Sequence, residues 1–200
     1  MKVKICGLYR EEDIAFVNLV NPEYVGFVFA KSKRQITRDQ AREYRKWLSK
    51  QIQVVGVFVN APLQEIIEIC SEGSIDLVQL HGEESEEFVC FVKAMTGKPV
   101  IKAVEIHSKT DVEKVLDSEA DYLLFDQGKG EGKTFDWSLL PRIERPYFLA
   151  GGLDCNNVAD AIKVLHPYAV DVSSGVEQEG KKDFDKMNEF VKVVRQERAI

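Results

Sequence analysis

The chain has 200 residues and a mass of 22.7 kDa, enough to bury a substantial core in one or two domains. With 27 Lys and Arg against 33 Asp and Glu, its formal net charge is -6, which does not favour nucleic acid or anionic lipid as a partner. The longest apolar run is residues 24–30, and charged residues stand at 10–13, so we expect neither a membrane span nor a secretory signal. We therefore expect a cytoplasmic protein with no nucleic-acid or membrane partner.

Short runs of β-branched and apolar residues recur along the sequence, each followed by a polar break. Eight such runs begin at intervals of roughly 20–30 residues, about the size of one strand-plus-helix unit. The predicted strands are Val3–Cys6, Tyr24–Phe29, Gln53–Val59, Leu77–Leu80, Val100–Val104, Tyr122–Asp126, Phe148–Ala150 and Ala169–Val172.

Between these runs, apolar residues recur three or four positions apart, which is typical of helices with one buried face. The predicted helices are Arg38–Lys50, Leu63–Ser71, Ser85–Met95, Thr110–Leu116, Asn157–Leu165 and Asp185–Arg198. Thr37, Pro62 and Asn156 stand where helix-initiating residues are favoured. The helix after the sixth strand is poorly marked, because Pro141 cuts short residues 137–140.

Alternating strands and helices predict parallel pairing with right-handed crossovers, either in an open doubly wound sheet or in a closed barrel. Eight units and near-continuous apolar strands favour closure, since barrel strands are buried on both faces. No Gly/Ser/Pro linker divides the chain. We predict that residues 1–200 form a single (β/α)8 TIM barrel domain.

Reacting groups of such a barrel lie at the C-terminal ends of the strands. Polar residues, cysteine and glycines occupy these positions here. The candidates are Cys6, Ser32, Arg34, Asn60, His81, Asp126, Gly151, Gly152, Ser173, Ser174 and Gly175.

The loops after the seventh and eighth strands contain glycines, which let backbone N–H groups approach an anion. Gly151 and Gly152, with Ser173, Ser174 and Gly175, therefore predict a phosphate site. The alternative is that these glycines only make tight turns.

Cys6 and Asp126 follow the first and sixth predicted strands, so a small substrate over the barrel mouth is flanked by both. This is the arrangement of a general acid and a general base. A thiol needs a nearby cation to act as a base at neutral pH, and Lys4, on the same strand face, is one candidate. The alternatives are that Cys6 is a small buried hydrophobe, that Asp126 caps a helix or forms a salt bridge, and that Lys4 pairs with a carboxylate inside the barrel.

Arg34 offers a bidentate fork for a carboxylate or a phosphate, unless it belongs to a solvated basic loop. His81 either touches the substrate or has a structural, hydrogen-bonded role. The remaining cysteines and histidines are interpreted as packing or surface residues. Because the cysteines and histidines lack metal-ligand spacing, we expect reduced thiols and no metal.

An ordered set of motifs spans nearly the whole chain. They are Lys4–Leu8, Gly26–Phe29 with Ser32 and Arg34, Gly56–Asn60, Val78–Gly82, Gly132–Trp137, Ala150–Leu153 and Val170–Glu177. Together they resemble the phosphoribosylanthranilate isomerase family of tryptophan biosynthesis. Departures from the family pattern stand at Tyr9, Lys33 and Asp154-Cys155, in loops and outside the matching catalytic positions.

The resemblance implies an Amadori rearrangement of N-(5-phospho-β-D-ribosyl)anthranilate to 1-(2-carboxyphenylamino)-1-deoxy-D-ribulose 5-phosphate, without a cofactor. By matching position, Asp126 is the general acid, Cys6 is the general base and Arg34 holds the anthranilate carboxylate. The two glycine-containing loops hold the phosphate, and Asp171 is structural. Barrels of this family are monomers or homodimers. The alternatives are an isomerase of a related phosphosugar and a catalytically silent barrel that binds a phosphorylated metabolite.

Overall fold

The computed structural model describes residues 1–126 and 136–197. Within these ranges eight parallel strands close into a barrel, each paired with its neighbour in sequence and the last paired with the first. The predicted (β/α)8 architecture is confirmed. The barrel strands are β1 (Lys2–Cys6), β2 (Tyr24–Val28), β3 (Gln53–Phe58), β4 (Leu77–Leu80), β5 (Val100–Glu105), β6 (Tyr122–Asp126), β7 (Tyr147–Leu149) and β8 (Ala169–Val172).

Helices lie between the strands. They are α1 (Glu11–Val20), α2 (Arg38–Trp47), α3 (Leu63–Ser71), α4 (Glu86–Thr96), α5 (Lys109–Glu113), α6 (Val158–Leu165) and α7 (Phe184–Gln196). The six predicted helices are present. Leu63–Ser71 has the predicted bounds, the other five differ at one or both ends, and Arg198 lies outside the described residues. Thr37 caps α2 by accepting a hydrogen bond from the backbone of Gln40, whereas Asn157 rather than Asn156 precedes α6.

Helix α1 is absent from the predicted set. Its buried residues Ile14 and Val17, with Val20 three positions further on, form only a narrow apolar stripe, which is a weak sequence signal for a helix with one buried face. The buried carboxylate of Asp13 accepts hydrogen bonds from the backbone N–H groups of Tyr9 and Arg10, both at 3.1 Å. These contacts fix the start of the helix directly after the loop that follows β1.

Helix is short in residues 136–146, the described part of the segment before β7, in agreement with the weak signal there. A 3-10 helix spans Trp137–Leu139 and is capped by the side chain of Asp136. Pro141 follows it, and proline cannot donate the hydrogen bond that would continue the helix. The first part of the Gly132–Trp137 motif, residues 132–135, lies outside the described residues.

A two-stranded antiparallel hairpin after β8 is a feature that the sequence analysis does not predict. It pairs β9 (Glu177–Gln178) with β10 (Lys181–Lys182). Each strand has two residues, too short for a period-two pattern to be visible in the sequence. The hairpin connects a 3-10 turn at Ser174–Val176 to α7.

Apolar side chains form two layers because successive residues of a strand point to opposite sides of the sheet. Ile5 and Val25 belong to the outer cluster, between the strands and the helices. Tyr24, Val55 and Phe148 belong to the inner cluster, and Cys6 packs against it. The inner layer fills the barrel below the strand ends, so the site is built on a packed floor.

None of the helices within 1–126 and 136–197 combines the length and the apolar character required to cross a bilayer.

Phe148 is the centre of the inner layer and gives a test of it. Its ring is fully buried and lies 5.4 Å from Tyr24, 5.6 Å from Tyr122 and 5.8 Å from Tyr168, measured between centroids. We expect Phe148→Ala to lower the free energy of unfolding by about 3–5 kcal/mol, because it leaves a cavity inside the barrel. Phe91→Ala, on α4, is the matched control because this ring is 50% exposed. Equal destabilisation by both changes in urea denaturation would contradict this packing.

Candidate active site

Cys6 ends β1, and its thiol lies against the backbone of β2. A Cβ atom at Gly26 would lie 2.6 Å from Sγ of Cys6, so glycine is required there to make room for the sulfur. Gly7 follows with φ +78°, a left-handed conformation that turns the chain into the next loop. Its N–H, like that of Leu8, donates to the carbonyl of Gly26. The turn therefore fixes Cys6 at the barrel mouth.

Lys4 and Asp171 form a buried ion pair on adjacent strands below Cys6. They are register partners in β1 and β8, and Nζ of Lys4 lies 2.8 Å from Oδ2 of Asp171, with side chains 0% and 8% exposed. Burial lowers the pKa of Lys4, but Asp171 and Cys6 raise it by more, so the net direction is upward. Both roles considered for Lys4 from the sequence therefore apply: it pairs with a carboxylate inside the barrel, and its charge lowers the pKa of Cys6.

The protonation of the Cys6 thiol differs from the expectation of a cation-activated base. Burial raises its pKa above the ordinary value, and the opposing effects of Lys4 and Lys182 do not offset this. Without a ligand the thiol is therefore the stable form at neutral pH. Lys4 moderates the shift without reversing it.

His81 and Asp126, from the ends of β4 and β6, are brought together. Nε2 of His81 lies 3.6 Å from Oδ2 of Asp126. Nε2 of Gln79 is 3.1 Å from Nδ1 of His81, and an amide nitrogen can only donate, so Nδ1 accepts. In the neutral imidazole the proton is then on Nε2, the nitrogen that faces Asp126. Both groups lie close enough to Asp171 for their charges to act on it, which connects the β6 end to the Lys4 pair.

The loop that carries His81 is held by Lys102, a buried residue of β5. Nζ of Lys102 donates to the carbonyl oxygens of Gly82 and Glu84 at 3.1 and 2.8 Å. Asn60 accepts the backbone N–H of Glu83 at 2.9 Å. Asn60, a candidate from its position alone, thus braces the neighbouring loop.

The two glycine-containing loops lie against each other. A Cβ atom at Gly175 would lie 2.0 Å from the carbonyl oxygen of Leu153, so the loop after β8 packs directly on the loop after β7. Gly151 and Gly152 have φ of +91° and +62°, which favour glycine. Ser173 lies beside the first strand, because its hydroxyl donates to the carbonyl of Cys6 at 3.0 Å.

Asp154, one of the departures from the family pattern, has a structural role in the loop after β7. Its Oδ1 accepts the backbone N–H groups of Asn156 and Asn157 at 2.7 and 3.2 Å. In return, the side chain of Asn157 bonds the N–H of Asp154 and the carbonyl of Gly152 at 3.0 and 2.9 Å. These bonds stabilise the loop conformation in this sequence.

Arg34 already has a carboxylate partner within the chain. Its Nε and Nη2 donate to the two oxygens of Glu177 at 2.6 and 2.9 Å, with Arg34 16% exposed. Lys182 donates to the same Glu177 at 2.8 Å. Sequence reasoning missed Glu177 and Lys182, although Glu177 closes one of the quoted motifs. Their role depends on the hairpin, for which the sequence has no clear signal.

The other thiols and imidazoles agree with their interpretation as packing or surface groups. Cys70 is buried, Cys90 is exposed and Cys155 is half-buried, and each is a free thiol. His107 is exposed on the loop after β5, 3.4 Å from Glu105. His166 ends α6. Among the described residues, no group of three or more His, Cys, Asp or Glu side chains could hold a metal ion.

Comparison with known proteins assigns the family. The family model of N-(5'phosphoribosyl)anthranilate (PRA) isomerase matches residues 3–193. The chain belongs to the PRA isomerase family. The resemblance inferred from the motifs is therefore confirmed.

Relatives of this PRA isomerase family member match it from end to end. An N-(5'-phosphoribosyl)anthranilate isomerase of Endomicrobium trichonymphae is 48% identical over 199 residues, and the match covers 97% of this chain and 98% of the relative. The crystal structure of the Thermotoga maritima PRA isomerase is similar with a TM-score of 0.91 and 40% identity, over 98% and 99% of the two chains. A PRA isomerase in complex with reduced 1-(o-carboxyphenylamino)-1-deoxyribulose 5-phosphate has a TM-score of 0.88 and 39% identity, over 98% and 99%.

The raised pKa of Cys6 predicts the pH dependence of its alkylation in this PRA isomerase. Because only the thiolate reacts, carboxamidomethylation of Cys6 by iodoacetamide should become fast only at a pH above the range in which an ordinary cysteine thiol ionises. Peptide mass spectrometry measures this, with the exposed Cys90 as an internal check on the reagent.

The variant Lys4→Met with Asp171→Asn removes the pair without leaving a buried unpaired charge. Lys4 lowers the pKa of Cys6 more than Asp171 raises it. The midpoint of the pH dependence of Cys6 alkylation should therefore move to higher pH in this variant. A wild-type midpoint of Cys6 alkylation below the ordinary range of a cysteine thiol would contradict the raised pKa.

Proposed function

We propose that Cys6 and Asp126 are the general base and the general acid of the reaction that this PRA isomerase catalyses in tryptophan biosynthesis. The observation that supports this assignment is their common position at strand ends. Cys6 ends β1 and Asp126 ends β6 of one closed parallel barrel, so both residues lie at the C-terminal end of the barrel, where the reacting groups of this fold lie.

The reaction requires one proton to be given and one to be taken. Asp126 donates a proton to the ribose ring oxygen while the anthranilate nitrogen forms a double bond to C1, which breaks the C1–O bond and gives a Schiff base. The thiolate of Cys6 then removes the proton from C2. The enolamine that results takes a proton at C1 and loses the proton of its C2 hydroxyl, which gives the ketose.

The proton count of the pair is compatible with a thiol that is protonated at rest. A thiolate with a carboxylic acid holds the same number of protons as a thiol with a carboxylate. Transfer of one proton from the Cys6 thiol to the Asp126 carboxylate therefore gives the reactive thiolate and carboxylic acid without a change in the net charge of the site. The protonated Lys4, already paired with Asp171 at 2.8 Å, stabilises the thiolate once it forms.

His81 contributes to the acid side of the site. Its Nε2 faces Asp126 at 3.6 Å, and Gln79 fixes the ring through Nδ1. An N–H directed at the carboxylate orients it toward the substrate. His81 also lies at a strand end, where it contacts the bound sugar.

Arg34 and the two glycine-containing loops bind the ends of the substrate. Arg34 presents its outer N–H groups to the anthranilate carboxylate. The backbone N–H groups around Gly151, Gly152, Ser173, Ser174 and Gly175 surround the phosphate. The packing of Gly175 on Leu153 makes the two loops one binding surface. The proposed location is the cytoplasm, and the proposed assembly is a monomer or a homodimer.

Conservative changes at the acid and the base test their roles. We expect Cys6→Ser and Asp126→Asn each to reduce kcat by at least about 100-fold, since proton transfer contributes roughly 10²–10⁴-fold. KM should change little because neither side chain supplies much ground-state binding. The measurement is the fall in anthranilate fluorescence with phosphoribosylanthranilate generated in situ.

Matched controls use exposed residues of the same types. Cys90→Ser, on α4, and Asp160→Asn, on α6, lie on exposed helix surfaces and should keep normal kcat. Near-normal kcat in Cys6→Ser or Asp126→Asn would remove that residue from the mechanism. Turnover of a related phosphosugar in place of phosphoribosylanthranilate by the wild type would overturn the substrate assignment.

Arg34→Ala tests the carboxylate clamp. We expect KM to rise about 10- to 100-fold, with a smaller change in kcat, because a charge-assisted pair worth about 1.5–3 kcal/mol is lost. Glu177 keeps Lys182 as a partner at 2.8 Å, so the variant leaves no unpaired buried carboxylate. Arg42→Ala, at a half-exposed arginine of α2, is the control. An unchanged KM in Arg34→Ala would reject the clamp.

A further inference from the structure

The hairpin β9–β10 carries two buried charges that the mechanism does not use. The side chain of Glu177 is 5% exposed and that of Lys182 is 0% exposed. Burying charged groups is costly unless they are paired and hydrogen-bonded. Both groups are paired here, and the third member of the cluster is Arg34 of the proposed clamp.

Glu177 fixes the plane of the Arg34 guanidinium. The carboxylate takes the edge formed by Nε and Nη2, at 2.6 and 2.9 Å. Within the described ranges, Nη1 makes no hydrogen bond to the protein, so the edge formed by Nη1 and Nη2 is left for a ligand. A bidentate pair of this kind sets direction as well as energy.

A second contact holds the stem of Arg34 from the other side. A Cβ atom at Gly7 would lie 2.4 Å from Cδ of Arg34. The arginine stem therefore packs against the backbone of the residue that directly follows Cys6. This contact and the pairing with Glu177 together restrict the orientation of the guanidinium.

Lys182 neutralises the charge of Glu177 and connects it by hydrogen bonds to Ser173, in the loop after β8. Its Nζ donates to Oε1 of Glu177 at 2.8 Å and to the carbonyl of Ser173 at 2.9 Å. Burial opposes ionisation of Glu177, but Arg34 and Lys182 outweigh it and lower its pKa to about 2. Glu177 is therefore a carboxylate throughout the neutral range and remains a strong acceptor for Arg34.

The hairpin itself is anchored to the loops that follow β1 and β2. The hydroxyl of Tyr9 donates to the carbonyl of Gly180 at 3.2 Å, and Arg10 donates to the carbonyl of Lys182 at 2.9 Å. Lys33 lies 3.6 Å from Glu177. Tyr9 and Lys33 are two of the departures from the family pattern, so these loop residues of this chain take part in fixing the hairpin.

We propose that Glu177 is a positioning residue that acts through Arg34 to select ligands carrying a carboxylate on the aromatic ring, with Lys182 as its buried counter-ion. This inference rests on the proposed function and extends it to specificity. Glu177 does not touch the ligand. It repels a ligand carboxylate by its own charge, so its contribution is the orientation of Arg34.

The test compares two ligands by isothermal titration calorimetry. One is reduced 1-(o-carboxyphenylamino)-1-deoxyribulose 5-phosphate, and the other is the same compound without the ring carboxylate. Glu177→Gln should weaken binding of the first about tenfold and leave binding of the second within about twofold, since only the first uses the Arg34 edge. In an Arg34→Ala background, Glu177→Gln should have no further effect on either ligand.

Two further variants keep the test decisive. Glu179→Gln removes the same charge at an exposed position of the same hairpin and should bind both ligands normally. Glu177→Gln with Lys182→Met removes the buried cation together with its counter-ion, and it should show the same loss of selectivity if the single variant folds poorly.

Three outcomes would count against the inference. Equal weakening of both ligands by Glu177→Gln would mean that Glu177 only stabilises the hairpin. Unchanged or tighter binding of the carboxylate ligand would mean that orientation matters less than the charge of Glu177. Failure of the wild type to bind the carboxylate ligand would overturn the proposed function, and this inference with it.

Discussion

The seam between β1 and β8 is the constraint on which the rest of the molecule depends. Lys4 and Asp171 are register partners there and form a buried ion pair at 2.8 Å, so the contact that closes the barrel also places a cation below Cys6. Two residues after Lys4 the chain reaches the thiol of Cys6. Two residues after Asp171, just past the end of β8, it reaches Ser173, whose hydroxyl donates to the carbonyl of Cys6. A register slip of one residue would turn these groups to the other face.

The same seam explains why a barrel with a packed floor can hold several charges at its mouth. An isolated buried charge is expensive, but a charge with a counter-ion and hydrogen bonds is tolerated. The structure repeats this solution with Lys4 and Asp171, and again with Arg34, Glu177 and Lys182. Among the residues that the structure describes, Oδ1 of Asp171 in the first set and Nη1 of Arg34 in the second have no hydrogen-bond partner in the protein. Pairing of the other polar atoms therefore limits the cost of burying these charges.

Most of the barrel could be predicted because strand and helix patterns are local properties of the sequence. Runs such as Leu77–Leu80 and Ala169–Val172 have the predicted bounds, since both faces of these strands are buried and polar residues mark their ends. Helix α1 was missed because its apolar face is a narrow stripe, and the hairpin was missed because two-residue strands have no detectable period. These elements are set by tertiary contacts, which local patterns do not report.

The candidate site is predictable to the same extent: the sequence predicts where its residues lie in the fold, but not which side chains pair with one another. The topology of a barrel predicts which residues reach the mouth, and strand ends alone make Cys6, His81 and Asp126 candidates for the site. Which side chains pair with one another depends on contacts between distant segments: Arg34 and Glu177 are 143 positions apart, and Lys4 and Asp171 are 167 apart. Fold topology thus sets where the chemistry occurs, whereas the protonation of Cys6 and the direction of Arg34 depend on pairings that only the folded chain defines.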